Sequence, residues 1–323
     1  MAAAWRVCLT DQVFPEVTIE RELLAAAGAE LVVARGFPAD IVMQAREADG
    51  LLNTYLPLGA AEIAQLSRCR VISRYGIGTD NIDIAAAELA GIVVTNVPDY
   101  CVEEVAAHTV ALILSLVRRI PDGSERVRQG GWGLDGLRPI ERISETTLGL
   151  VGFGRIGQRV ARVARELGFR LLAYDPLIDV NSAGADLGVV AAEFRDLLRR
   201  SDVVSLHLPL TPQTRGVVDA AALSLMRPHT VLINTSRGGL VDLAALVKAL
   251  RAGSLRGAGL DVLPSEPPVD SYADVPGLLI TPHVAYYSEA AIRESQRKAA
   301  TQVVKVLTGQ VPDYRVSIGR SGT

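Results

Sequence analysis

Cysteine and lysine are scarce in this chain. The three cysteines, Cys8, Cys69 and Cys101, are odd in number and show no metal-ligand spacing, so neither a disulfide framework nor a cysteine metal site is expected. Buried, reduced thiols point to a reducing compartment, and we expect a cytoplasmic protein. Only three lysines occur, and the arginines are spread along the chain without a basic stripe. Nucleic acid is therefore not an expected partner.

Long apolar runs and serine-hydrolase motifs are also missing. The most apolar predicted helix, residues 105–117, is interrupted by His108 and Thr109 and is too short to span a bilayer. The first residues lack the charged start and long apolar core of a secretion signal, so we expect no membrane partner. No Gly-x-Ser-x-Gly elbow and no metal-ligand cluster is present, so neither a hydrolase of that type nor a metal is predicted.

What the chain does contain is an alternation of short apolar runs and amphipathic stretches along 323 residues, 49% of them hydrophobic. This pattern predicts an α/β protein with two Rossmann-like or flavodoxin-like parallel-sheet domains and a cleft between them. We expect a discontinuous outer domain over 1–99 and 288–323 and an inner domain over 100–287. The runs predicted as strands are 6–9, 31–33, 50–52, 71–73, 171–174, 203–206, 230–233, 257–260 and 278–280, with a further strand starting at Thr147.

Two segments at the start of the inner domain have a distinct character. Residues 102–119 predict a long helix with more than one apolar face, which we expect to be covered by the other lobe or by a second copy of the chain. Residues 121–144, rich in Gly, Arg and Asp, predict an irregular connection with a short helix. A last amphipathic helix is predicted over 288–308, followed by a short polar tail.

A glycine-rich turn in the middle of the chain gives the clearest ligand signal. A short apolar strand leads into Gly152, Gly154 and Gly157, and residues 158–167 follow with helical spacing. Gly152 permits a tight turn, Gly154 lets backbone N–H groups approach a pyrophosphate, and Gly157 lets the helix pack closely on the sheet. Asp175 closes the next strand, where an acid accepts hydrogen bonds from a ribose 2′-hydroxyl and repels a 2′-phosphate. The segment predicts a dinucleotide site that favours NAD over NADP.

Alternative interpretations of this turn are an ordinary strand-to-helix connection and the methyl-donor site of a methyltransferase. The strand, the helix and the acid occur together at the expected spacing, which favours the dinucleotide.

Three polar side chains follow predicted strands of the inner domain: Arg237, Glu266 and His283. The carboxyl ends of strands in an open α/β sheet face the ligand crevice. Arg can hold a carboxylate with two parallel hydrogen bonds, and His can transfer a proton near neutral pH, oriented by a carboxylate on its other nitrogen. Taken singly, each residue is more often a surface charge or a loop hydrogen-bonding group. Of the other histidines, His108 is expected to be packed within its helix.

Further motifs lie along nearly the whole chain; they are Arg74–Asp83, Asn96–Pro98, Glu104 with His108 and Thr109, Gly152–Gly157, His207–Thr211, Asn234–Gly239 and Thr281–His283. Together they resemble the D-isomer-specific 2-hydroxyacid dehydrogenase family. The resemblance implies an enzyme that reduces a 2-oxoacid, or oxidises a D-2-hydroxyacid, by hydride transfer with NAD(H). It also implies that the outer domain binds substrate, that the inner domain binds NAD, and that the protein is a homodimer.

The resemblance also implies roles for single residues. Arg237 would hold the substrate carboxylate and polarise the 2-oxo group, His283 would act as acid and base, and Glu266 would support His283. The remaining substrate contacts would come from Tyr55, Gly76, Ile77 and Tyr286. The residues implied for the cofactor are Thr109, Gly152, Gly154, Arg155, Ile156, Gly157, Asp175, His207, Pro209, Thr211, Thr235 and Asp261.

Within the family the sequence is most similar to the C-terminal-binding-protein branch, on the segments 78–84, 265–267, 283–289 and 307–313. It departs from that branch at two positions, with Tyr286 in place of Trp and Tyr55 in place of His. Both are expected to touch the substrate side chain, although both tyrosines could simply pack.

The branch leaves two functions open, a 2-oxoacid reductase and an NAD(H)-sensing co-repressor-like scaffold. The few residues expected before the first strand and after the last helix favour the enzyme. Glu266 disfavours formate dehydrogenase, where Gln is expected, and the chain length disfavours a phosphoglycerate dehydrogenase with a regulatory domain. Glyoxylate or hydroxypyruvate remains possible, and a cluster of Tyr55, Tyr286 and Tyr287 would favour a medium-sized or aromatic 2-oxoacid.

Overall fold

A computed structural model describes residues 4–317, so the first three and last six residues of the expected outer domain lie outside the described residues. The chain divides into two compact units. The flanking unit comprises Met1–Tyr100 and Ser288–Thr323, and the central unit comprises Cys101–Tyr287.

The helices are α1 (Thr18–Ala26), α2 (Pro38–Ala45), α3 (Ala60–Ile63), α4 (Ile84–Leu89), α5 (Val102–Val117), α6 (Ile120–Arg128), α7 (Arg155–Glu166), α8 (Val180–Ala183), α9 (Phe194–Arg200), α10 (Ala220–Leu223), α11 (Leu243–Arg251) and α12 (Glu289–Leu307). The strands are β1 (Trp5–Leu9), β2 (Ala29–Val33), β3 (Gly50–Asn53), β4 (Val71–Arg74), β5 (Val93–Thr95), β6 (Thr147–Val151), β7 (Arg170–Tyr174), β8 (Val190–Ala191), β9 (Val203–Leu206), β10 (Val231–Asn234), β11 (Gly257–Leu260), β12 (Leu278–Ile280) and β13 (Arg315–Val316).

The flanking unit is built on a six-stranded sheet in the order β13-β5-β4-β3-β1-β2. Strands β1 to β5 are parallel, and β13 pairs antiparallel with β5. One face of the sheet is covered by apolar residues of α2, α3 and α4, and the other by α1 and α12. The tail, expected to be merely short and polar, therefore contributes an edge strand. Its two residues are too few to show a strand pattern in the sequence.

The central unit is built on a seven-stranded parallel sheet in the order β12-β11-β10-β9-β6-β7-β8. Helices α5 and α7 cover one face, and α9, α10 and α11 cover the other. The strand order reverses between β6 and β9, and ligands of open α/β sheets bind at such a switch point. The prediction of two parallel-sheet α/β domains is confirmed.

Helix α5 is largely covered within the central unit. It packs against α7, β10 and β11, and along its whole described length every large apolar side chain is buried or partly buried. Its exposed apolar residues are the small Ala107 and Ala111. The sheet and α7 take up most of the circumference, so the helix does not leave a large second apolar face exposed. Cover of its remaining surface by a second copy of the chain stays a prediction.

The thiols and apolar segments give no reactive or membrane feature within residues 4–317. The three cysteines are buried, and none of them forms a disulfide within these residues. Burial raises the pKa of Cys8 to about 11 and that of Cys69 to about 12, so both stay protonated at neutral pH. In the described part of the chain, no helix combines the length and apolarity that a bilayer crossing requires.

Candidate active site

The turn after β6 needs glycine at two of its three predicted positions. Gly152 has a φ of +101°, and a Cβ there would lie 2.6 Å from the carbonyl carbon of His207. A Cβ on Gly157 would collide with the carbonyl oxygen of Gly152. At Gly154, by contrast, a Cβ would meet no described atom within 4 Å. The turn is tight on the sheet side and open where a ligand would approach.

Helix α7 starts at this open position. Its N-cap is Gly154, which offers no side-chain oxygen to the N–H groups of the first turn, where Arg155 and Ile156 lie. An uncapped helix N-terminus of this kind suits a pyrophosphate. Asp175, at the end of β7, accepts hydrogen bonds from the backbone N–H of Phe153 at 2.7 Å and from two N–H groups of its own turn. The residues present therefore fit a dinucleotide.

The segment after β9 forms a second wall of this region. His207 Nε2 lies 2.9 Å from Ser205 Oγ, and burial lowers the pKa of His207 to about 4, so the ring is neutral at physiological pH. Thr214 ties the following loop together. Its hydroxyl donates to the carbonyl of Pro209 at 2.6 Å and accepts from the backbone N–H of Thr211 at 2.8 Å.

Two threonines predicted for the cofactor are paired with each other. Thr109 Oγ1 lies 2.8 Å from Thr235 Oγ1 and donates to the carbonyl of Val105 at 2.7 Å. Because Thr109 has one hydroxyl proton, Thr235 must be the donor in the pair. Both residues are buried, so they help to join α5 to the end of β10.

Arg237 lies on the turn that follows β10. Asn234 donates through Nδ2 to the carbonyl of Arg237 at 2.9 Å and accepts from the N–H of Ser236 at 3.0 Å. The next residue is held by packing: a Cβ on Gly238 would collide with the backbone of Leu263–Pro264. The absence of a side chain at this position brings the Arg237 turn against the loop that carries Glu266.

Glu266 and His283 form a hydrogen-bonded pair. Glu266 Oε2 lies 2.6 Å from His283 Nδ1, and Oε1 accepts from the backbone N–H of Leu263 at 2.8 Å. Burial opposes ionisation, but the hydrogen bonds from His283 and Leu263 and the charges of His283 and Arg237 lower the pKa of Glu266 below its usual range. A carboxylate on Nδ1 leaves Nε2 of the ring as the atom that exchanges protons with a ligand.

The loop that carries His283 is held by Asp261, which follows β11. The buried Asp261 carboxylate accepts from Thr281 Oγ1 at 2.6 Å and from the N–H groups of Val284 and Ala285 at 3.0 and 2.9 Å. Its carbonyl accepts from the N–H of His283 at 2.8 Å. His283 has a φ of +54°, a left-handed backbone conformation that residues other than glycine rarely adopt. These hydrogen bonds hold it in that conformation.

Two of the predicted tyrosines, Tyr286 and Tyr287, lie next to each other, with Tyr286 beside His283. The Tyr286 ring lies edge-to-face with that of His283, with centroids 6.0 Å apart, and its centroid is 6.5 Å from that of Tyr287. Tyr286 is half-buried, so it is a neighbour of the histidine that a ligand could reach. Tyr55 belongs to the flanking unit and is exposed.

The loop of Tyr55 is held by an aspartate that the sequence analysis missed. Asp11, after β1, accepts hydrogen bonds from the backbone N–H groups of Thr54, Tyr55 and Leu56. A carboxylate that binds consecutive amides fixes the path of the loop. The sequence offers only a weak signal, an acid directly after a strand of the first unit.

The expected carboxylate cradle, Gly76 and Ile77, lies after β4 in the flanking unit. Asn96 donates to the carbonyl of Ile77 at 2.7 Å, and a Cβ on Gly76 would collide with the guanidinium of Arg74. The glycine thus allows Arg74 to lie directly beneath the loop. Asn96 belongs to the Asn96–Pro98 motif, to which the sequence analysis assigned no role.

His108 was expected to be packed in its helix, and the structure shows more. Its side chain is 24% exposed, and Nε2 lies 3.0 Å from Thr281 Oγ1. Both residues occur in motifs noted in the sequence, but their contact joins positions 173 apart, which periodicity cannot indicate.

Comparison with known proteins agrees with this arrangement. Residues 110–285 match the family described as D-isomer specific 2-hydroxyacid dehydrogenase, NAD binding domain. The chain is 38% identical over 279 residues to D-3-phosphoglycerate dehydrogenase of Mycobacterium tuberculosis, which covers 84% of this chain and 52% of that protein. It is also 38% identical over 265 residues to glycerate dehydrogenase of Methylorubrum extorquens, covering 79% of this chain and 82% of the relative.

A solved structure is similar over nearly the whole chain. D-lactate dehydrogenase of Aquifex aeolicus, crystallised with NAD and lactic acid, aligns over 96% of this chain and 98% of its own, with a TM-score of 0.85 and 29% identity. The chain spans about half the length of the phosphoglycerate dehydrogenases that it matches. It belongs to the D-isomer specific 2-hydroxyacid dehydrogenase family, and residues 110–285 match its NAD-binding domain.

Proposed function

We propose that the protein is an NAD-dependent oxidoreductase that interconverts a 2-oxoacid and a D-2-hydroxyacid. The observation that supports this most is the 2.6 Å contact between His283 Nδ1 and Glu266 Oε2, next to the turn of Arg237. In this arrangement a histidine supported by a carboxylate can protonate a substrate oxygen, and an arginine can bind the carboxylate of the substrate.

The chain's own residues divide the work as follows. Arg237 binds the substrate carboxylate and draws electron density from the 2-oxo group. The family resemblance implies that the backbone N–H groups of Gly76 and Ile77 would also serve as carboxylate donors. During reduction His283 donates its Nε2 proton to the developing alkoxide. Glu266, ionised at neutral pH, stabilises the charged imidazolium before that transfer. In the opposite direction the neutral His283 takes the proton from the hydroxyl.

The cofactor would be held by the turn after β6, the start of α7 and Asp175, and when bound NADH supplies the hydride for reduction. The pairing of an uncapped helix N-terminus with an aspartate at the end of β7 supports NAD over NADP, because a 2′-phosphate would face that carboxylate. Asp261 would face the nicotinamide and Thr109 would line its pocket. His207, Pro209, Thr211 and Thr235 would complete the wall.

We also propose which class of 2-oxoacid is the substrate. The resemblance to the C-terminal-binding-protein branch remains a prediction, because the curated relatives named above are a phosphoglycerate and a glycerate dehydrogenase. Tyr286 beside His283 supports a 2-oxoacid with an apolar or aromatic side chain. Hydroxypyruvate and its 3-phosphate enter the test because of the names of these relatives.

We also propose a homodimer that works in the cytoplasm. The support for the dimer is an exposed apolar set on and after α6, namely Ile120, Val127, Trp132 and Leu134. The scaffold alternative gains no support from the relatives, which are named as dehydrogenases.

The test is NADH oxidation at 340 nm with 2-oxoacids graded from glyoxylate through hydroxypyruvate and its 3-phosphate to phenylpyruvate, with NADPH in parallel. Turnover with NADH and one class of substrate supports the proposal and identifies the pocket. Tight NADH binding without turnover of any 2-oxoacid would favour the scaffold.

A further inference from the structure

A histidine on α5 touches the loop that presents His283. His108 Nε2 lies 3.0 Å from Thr281 Oγ1 and 3.7 Å from Asp261 Oδ1. We infer that His108 is a positioning residue, which acts as its Nε2–H tautomer through Thr281 and Asp261 to hold His283 against Glu266. Only the kinetic consequence of this inference rests on the proposed function.

The tautomer follows from counting protons. Thr281 has one hydroxyl proton, and its Oγ1 lies 2.6 Å from Asp261 Oδ1. A carboxylate can only accept hydrogen bonds, and that of Asp261 also accepts from two backbone N–H groups. Thr281 must therefore be the donor in its contact with Asp261. Thr281 Oγ1 can then only accept from His108. Nε2 of His108 therefore carries a hydrogen whether the ring is neutral or charged.

The hydrogen bonds that run from His108 through Thr281 to Asp261 end on the loop that carries His283. The Asp261 carboxylate binds the N–H groups of the two residues after His283, and its carbonyl binds the N–H of His283 itself. These bonds hold a φ of +54° that an unconstrained histidine would leave. His108 orients the threonine hydroxyl and places a polar N–H beside the buried carboxylate.

Removing the His108 donor should therefore loosen the loop rather than unfold the protein. Thr281 would lose its donor, and the buried carboxylate would lose the polar group at 3.7 Å. The 2.6 Å contact between His283 and Glu266 depends on the backbone of this loop, so it would be populated for less of the time. The polar contacts of His108 are with Thr281 and Asp261 rather than with the glycine turn or Asp175, so the pyrophosphate and ribose contacts of the cofactor should change little.

The matched variants are His108→Leu, which removes the donor, and His108→Gln, whose amide N–H can take the place of Nε2–H. The first readout is independent of activity. The chain has four histidines, so ¹⁵N imidazole spectra of the cofactor-free protein are simple to assign with these variants. We expect the Nε2–H pattern for His108, a change in it on Thr281→Val, and displaced His283 signals in His108→Leu but not in His108→Gln. An Nδ1–H tautomer at His108, or unmoved His283 signals in His108→Leu, would overturn the inference.

The second readout is the split between kcat and affinity. His108→Leu should lower kcat by about tenfold, and His108→Gln should stay within about twofold of the parent. In both variants the NADH Kd should change by less than kcat, because the glycine turn and Asp175 keep their contacts. Equal losses in the two variants, or a loss that follows the melting temperature, would show a merely structural histidine. If the parent reduces no 2-oxoacid, the proposed function fails, while the spectra still decide the role of His108.

Discussion

At the scale of single residues, His283 is the proposed proton donor. His283→Ala should lower kcat for 2-oxoacid reduction by about a thousandfold, because a positioned general acid contributes on the order of 10²–10⁴. NADH affinity should survive, since the glycine turn and Asp175 are untouched. The measurement is steady-state kinetics with fluorescence titration of NADH.

A matched control exists in the same unit. His229 Nε2 lies 2.9 Å from Asp202 Oδ1, so it is also a histidine paired with a carboxylate. It is exposed and precedes β10, whereas Thr235 and Arg237 follow the other end of that strand. His229→Ala should keep kcat near the parent value. If His283→Ala abolished NADH binding, or if both variants lost turnover equally, the acid role would be lost.

Glu266 gives a prediction for pH. Its pKa in the folded protein lies below the ordinary 4.5, so the ionised form stabilises the fold. That contribution is complete above pH 4.5 and disappears as the pH falls below 4.5 through the lowered folded-state value. Because the side chain is 36% exposed, we expect at most about 1 kcal/mol after solvent screening.

Urea unfolding of the parent and Glu266→Gln at several pH values tests this. The free energies of unfolding should differ at pH 7 and converge in acid, while the exposed Glu145→Gln serves as the control without a gap at any pH. A gap between the parent and Glu266→Gln that persists unchanged in acid would contradict the ionised pair.

The site residues divide into those that a sequence can indicate and those that it cannot. Arg237, Glu266 and His283 follow strands of one parallel sheet, and such strand ends must meet at one edge. His108 lies on a helix, and its partner Thr281 follows a strand, so no period links them. The hydrogen bonds between Asp11 and the Tyr55 loop likewise join residues far apart in the sequence, and they follow only from the pairing of β1 with β3.

At the scale of elements, the turn between β6 and α7 contains one glycine needed for packing, Gly152, and one proposed to face the ligand, Gly154. Gly152 has a φ of +101°, and Gly152→Ala would place a Cβ against the backbone of His207. Because of this strain and this collision, we expect the unfolding free energy to fall by about 2 kcal/mol or more. Gly154→Ala meets open space, so its melting temperature should stay near the parent value. Its added methyl group would obstruct a pyrophosphate, and the NADH Kd should rise by about tenfold, the cost of one or two hydrogen bonds.

Differential scanning calorimetry and NADH titration of both variants measure these two effects. Equal affinity of Gly154→Ala and the parent for NADH would mean that the pyrophosphate does not approach this turn. An unchanged melting temperature of Gly152→Ala would mean that the strand end and His207 can move apart at little cost.

Element boundaries were predictable where burial is continuous. The strands 203–206 and 257–260 agree with β9 and β11, which are central in the sheet and buried from end to end. The strand 278–280 agrees with β12, an edge strand that is partly buried along its length. Helix α3 ends at Ile63, although the buried Leu66 continues its apolar spacing, so the sequence pattern alone does not mark the end of the helix. Strand β13 exists only through its pairing with β5.

At the scale of the whole molecule, the exposed apolar side chains on and after α6 form a surface that a partner can cover. Ile120 and Val127 are seven residues apart, so they share one face of the helix, and Trp132 is 84% exposed. Exposed apolar groups concentrated in one short segment mark an interface more often than a free surface. A second copy of the chain is the occupant that the family resemblance implies.

Light scattering coupled to size-exclusion chromatography should therefore give twice the 34.4 kDa of one chain. A charge placed in the segment, Val127→Arg, should shift the protein towards the monomer, because an arginine buried in the interface without a partner costs several kcal/mol. Leu89→Arg is the matched control: Leu89 is 91% exposed on α4, outside the segment, and its replacement should leave the mass unchanged. A monomeric parent, or a Val127→Arg variant that stays dimeric, would show that this segment does not form the interface.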